Sequence, residues 1–140
     1  METQTMIDRI RAFSLDTVRA TLAACNVPES AKGDLETRIN TTVMWLDAVR
    51  SELIATIAEI DDEEDLATTI AVQYVELKSR WIGLNTRMNY QIVRGRTPEP
   101  QDMLRAAATS AFLAHIEGLL DQSDVHRITE FLARPLSEAA

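Results

Sequence analysis

Two long apolar rows with a helical period, separated by nothing longer than an acidic turn, constrain this chain more than any other feature. Leu35, Ile39, Val43, Leu46, Val49, Leu53, Ile57 and Ile60 recur at steps of three and four, as do Leu66, Ile70, Tyr74, Leu77, Trp81, Leu84, Met88 and Ile92. That spacing lines each set of side chains along one side of an α-helix. The run Asp61 to Asp65 lies between the two rows. Two helices of matched length joined in this way fold back as an antiparallel hairpin, roughly 40 Å long at about 1.5 Å per residue.

Turn signals elsewhere are few: Asn26 to Ser30, Arg94 to Pro98, Asp121 to Ser123, and Pro135. Between them the apolar period stays helical and no alternating strand pattern persists. The sequence therefore predicts helices over about 3–25, 30–60, 63–93, 98–120 and 124–134. The expected fold is all-α, an antiparallel bundle of about five helices built on the long central hairpin. The 140 residues form a single domain, long enough to bury about 70% of the unfolded surface without a disulfide or metal.

The first helix has a stripe of Met6, Ile10, Phe13, Thr17, Thr21 and Ala24 with which to dock on the hairpin. The fourth differs in kind. From Met103 to Leu120 only Arg105 and Glu117 are charged, and apolar residues point in every direction. A helix apolar on all sides is expected to be buried on all sides. Thr97 is a candidate cap for it, with Pro98 at its first position, and Ser123 is a candidate cap for the last helix.

Fourteen Lys and Arg against twenty-two Asp and Glu leave a net charge of −8, which opposes generic binding to nucleic acid or to an anionic membrane. The longest uncharged stretch of the most apolar segment, Ala106 to Ile116, is about half of a membrane span. The start carries Glu2, Asp8, Arg9 and Arg11 and lacks the pattern of a secretory signal. With a single cysteine besides, a cytoplasmic location is expected.

No catalytic signature emerges, and no cofactor or metal is expected. The acidic run Glu59 to Asp65 lacks the glycine of a calcium loop and reads as a solvated turn that favours the next helix start. His115 and His126 have no glutamate three residues before them, which excludes the Glu-x-x-His pattern of di-iron bundles. Cys25 lies beside Ala23, Ala24 and Val27 and reads as a small apolar residue, and the four glycines are isolated, so no phosphate-cradling loop exists.

Surfaces carry the functional expectation. Val72, Val75, Ile82, Tyr90 and Val93 lie opposite the main row of the third helix, and Met44 and Trp45 lie off the main row of the second. Apolar residues there suit either cover from within the chain or an interface with another. The first reading is accordingly a non-enzymatic component that binds other protein chains, as an assembly, adaptor, regulatory or inhibitory protein, and self-associates as a homo-oligomer. The alternative is a small anionic-ligand protein or enzyme using Arg87, Arg94 and Arg96, which gather near the start of the fourth helix without a helical acid partner. A third reading, mimicry of nucleic acid by acidic surface, rests on net charge and the acidic run.

Overall fold

A computed structural model describes residues 2–134. The described residues form α1 (Thr3–Arg11), α2 (Leu15–Ala23), a short 3-10 helix (Glu29–Asp34), α3 (Leu35–Ile57), α4 (Glu63–Val93), α5 (Pro100–Glu117) and α6 (Gln122–Ala133), with no strand among them. The all-α class is as the periodicity predicts, and α4 keeps the bounds read from the sequence. Asp62 starts α4 by accepting a hydrogen bond from the Asp65 amide, while Glu63, Glu64 and Asp65 occupy the electropositive first turn. Gly95 ends it. With φ +74, that residue lets its own amide donate to the Ile92 carbonyl at 3.0 Å and the Arg96 amide reach Gln91 O at 2.8 Å, a Schellman stop.

Several boundaries differ from the expectation. The predicted first helix is two helices broken at Ala12 to Ser14, where Ser14 accepts from the Thr17 amide and so begins α2. The break rotates the stripe: Val18 and Leu22 become the buried residues of α2, whereas Thr17, Thr21 and Ala24 face solvent. From across the fold, Arg50 of α3 donates to the Phe13 carbonyl at 2.8 Å and to the Arg11 carbonyl at 3.4 Å. A largely covered guanidinium thus satisfies acceptors that the end of α1 leaves free. The second predicted helix begins as the 3-10 segment, and the fourth begins at Pro100, behind Glu99, rather than at a Thr97 cap. For α6 the cap is Asp121, not Ser123; its carboxylate accepts from the Ser123 hydroxyl and from the Ser123 and Asp124 amides, which holds it below the usual carboxylate range.

Polar contacts fix the directions of the bundle. Thr42 and Trp45 of α3 meet Gln101 and Arg105 of α5 in ascending order, so these two helices are parallel. Tyr74, Trp81 and Arg87 of α4 meet Glu117, Ala106 and Asp102, so α4 runs antiparallel to α5 and hence to α3. Arg19 with Asn40, Arg50 with Phe13, and Thr3 with the Ile60 carbonyl set α1 and α2 antiparallel along α3.

Helix α5 packs against α2, α3 and α4. Of its eighteen residues only Ser110 and Ala114 are exposed, and Leu104, Ala108 and Phe112 are fully covered. Its charges are engaged as well: Arg105 stacks on the Trp45 ring at 5.3 Å, and Glu117 accepts from the Tyr74 hydroxyl and, at 3.3 Å, from Lys78. The core closes around it, with Phe13 tilted against Phe112 at 5.1 Å and Leu46, Leu53, Ile57, Leu66 and Ile70 buried from α3 and α4.

Candidate functional site

The main row of α4 begins as a core row and ends as a surface. Leu66, Ile70 and Tyr74 are buried, Leu77, Trp81, Leu84 and Met88 are half-buried, and Ile92 is 58% exposed. No residue after Tyr74 in this helix is buried. The exposure of its last turns follows from the antiparallel pairing, because α5 starts opposite Arg87, where Asp102 accepts its guanidinium at 3.0 Å. Beyond that point α4 continues past its neighbour for more than a turn.

On the opposite side of α4 lies a second row. Val72, Val75, Ser79, Ile82, Thr86, Asn89 and Val93 follow one another at alternating steps of three and four, with Tyr90 beside them and no charge in the series. Val72, Tyr90 and Val93 are exposed, the last to 83%, while Val75 and Ile82 are half-buried. The five α4 residues singled out from the sequence therefore share one outer face. Met44, though exposed, stands on α3, and Trp45 faces inward to the Arg105 guanidinium; neither joins that face.

Alongside the N-terminal half of this row, α6 leaves a cavity of about 520 Å³. Ala67, Ala71, Val72, Val75 and Ile128 line it, and Glu64, Glu76, Asp124 and Arg127 border it. Helix α6 itself has no buried residue, and Phe131 near its end is 61% exposed. Nothing in the apolar period or the charges of the sequence marked this groove, since it depends on how far α6 stands from α4.

The three arginines proposed as an anion site do not converge. Arg87 goes to Asp102, Arg94 lies over the Tyr90 ring at 5.4 Å, and Arg96 is exposed in the loop. A different set meets instead in the cleft between α3 and α4. Arg80, Arg87 and Arg105 line a cavity of about 240 Å³ there, together with Trp45, Trp81, Glu52 and Asp102. The Arg105 Nε is covered and has no hydrogen-bond partner. The signal for this residue was present, because Arg105 is the lone base inside an apolar helix. Its convergence with Arg80 depends on tertiary packing that sequence spacing does not encode.

The remaining candidates have structural partners. His115 Nε2 lies 2.7 Å from the Arg9 carbonyl, and His126 lies 3.2 Å from Glu130. Cys25 packs against the core with its Sγ toward the Thr21 carbonyl, and burial pushes its thiol up from the ordinary range. Burial and the Glu117 hydrogen bond together raise the Tyr74 hydroxyl far above the usual tyrosine value, so that it remains a donor. Among the described residues no helix is long and apolar enough to cross a membrane. No family model, curated protein or solved structure matches the chain.

Proposed function

We propose that this chain is a protein-binding helical module that self-associates through the outer face of α4. The observation that carries the reading is the uncharged row from Val72 to Val93, whose apolar side chains remain accessible in a chain with 26% charged residues. Accessible apolar side chains on a long, regular helix match the composition of interface cores, from which charge is depleted. A partner helix can lie along such a row without burying an ion. Light scattering across a concentration series tests the reading. Self-association that is lost in an Ile82→Glu, Val93→Glu double variant, with helicity retained, supports it. A chain monomeric at every concentration removes the self-association.

A second reading, binding of a small anion, is favoured by the unpartnered Arg105 Nε in the cleft that Arg80 and Arg87 also line. It predicts that phosphate or a dicarboxylate raises Tm and that Arg80→Ala abolishes the rise. No response to either anion ends this reading.

A further inference from the structure

Resting on the self-association just proposed, the outer row of α4 also specifies how two copies meet. Six of its members, counting Tyr90, mirror one another in pairs about the Ile82–Gly83 bond, while Ile82 itself falls opposite Gly83 and Asn89 opposite Glu76. When two such helices run antiparallel with their centres aligned, Val72 opposes Val93, Val75 opposes Tyr90, Ser79 opposes Thr86, and Ile82 opposes Gly83. Apolar pairs lie toward both ends, hydroxyl pairs lie inside them, and a glycine receives an isoleucine at the centre. A parallel arrangement in the same register instead places Gly83 against Gly83 and Asn89 against Asn89.

Gly83 is an independent pointer. It stands inside a helix of thirty-one residues, where glycine is unfavourable relative to alanine, and a Cβ there would meet nothing within 4 Å. No close approach within the chain calls for a glycine, whereas a second helix crossing at that point does.

Charge agrees with the same direction. The groove between α4 and α6 is bordered by Glu64, Glu76 and Asp124, with Arg127 the one base among its lining residues. At the far end of α4 Arg87 is paired with Asp102, but Arg94 and, in the loop, Arg96 remain without an acid in the stretch between Glu76 and Glu99. Antiparallel pairing brings this basic end to the partner's acidic groove, and parallel pairing brings like to like. We infer that two copies of this chain join through α4 as an antiparallel, two-fold pair centred on Ile82 and Gly83, each seating its Tyr90 to Val93 end in the other's α4–α6 groove. A two-fold contact of this kind is closed, so it stops at a dimer.

Disulfide trapping in a Cys25→Ala background tests the register, with light scattering on the same samples. Ser79→Cys and Thr86→Cys chains mixed in equal amounts are expected to oxidise to a covalent dimer containing one of each, at least tenfold above either variant alone. Efficient cross-linking of Ser79→Cys with itself overturns the inference in favour of a parallel pair. A dimer by light scattering in which the mixture does not cross-link overturns the register and leaves self-association standing. A monomer at every concentration overturns both. Gly83→Leu gives a second readout: its Kd for dimerisation rises at least tenfold while the isolated chain keeps its helicity, and an unchanged Kd contradicts the central crossing.

Discussion

Helices α4 and α5 are both rich in apolar residues, yet they have opposite fates. Nearly all of α5 is covered, whereas α4, almost twice as long, buries Leu66, Ile70 and Tyr74 and nothing beyond them. Helix α5 packs against α2, α3 and α4, whereas α4 outruns the start of α5, its main neighbour. A regular apolar row therefore states what a helix is able to bury, and the length of its neighbours decides how much it does bury. The surplus on α4 is where an external surface can be built without weakening the core.

The comparison breaks first at Phe112. It is fully buried against Phe13, and Phe112→Ala is expected to cost about 3–5 kcal/mol in urea unfolding. The matched truncation on α4, Ile92→Ala, is expected within about 0.5 kcal/mol of wild type. Comparable losses at the two sites would mean that α4 has cover not apparent in this fold.

Arg50 comes next. Replacing it with methionine keeps most of the aliphatic stem but leaves the Phe13 carbonyl without its charged donor, an expected loss of about 1.5–3 kcal/mol by the same measurement. A smaller change would show that water serves the break equally well.

Tyr74→Phe sharpens the contrast at the point where α4 leaves the core. Loss of the hydrogen bond to Glu117 is expected to cost about 1 kcal/mol near neutral pH. Because folding raises this hydroxyl's pKa above the ordinary value of 10.0, the unfolded chain loses the proton first as pH climbs. Wild-type stability should therefore fall as pH rises above about 10, and the phenylalanine variant should lack that component. Parallel profiles for the two proteins would contradict the assignment.

The smallest effect is a gain. Gly83→Ala, with open space around the added methyl, should stabilise the monomer by about 1 kcal/mol through helix propensity, seen as a higher Tm at low concentration. A fall would place Gly83 in a close contact within the chain.

Much of this fold was legible in the sequence, and the reasons differ by element. The bounds of α4 follow from local chemistry, an aspartate cap and a glycine stop, and the burial of α5 follows from apolar residues on every side. The break near Phe13 was hidden because Ser14 sits inside a continuing apolar period and the side chain that stabilises the break, Arg50, is 37 residues away from Phe13. The outer row of α4 was readable from its period. The α4–α6 groove and the meeting of Arg80 with Arg105 were not, since each depends on where separate helices come to rest.

The position of α5 in the chain also bears on synthesis. The segment that completes the core, Pro100–Glu117, is translated only after the four helices preceding it. Until it emerges, Leu46, Phe13 and Ile70 lack the surface on which the finished protein buries them. Without that segment, the apolar rows of the earlier helices stay open to whatever binds such surfaces.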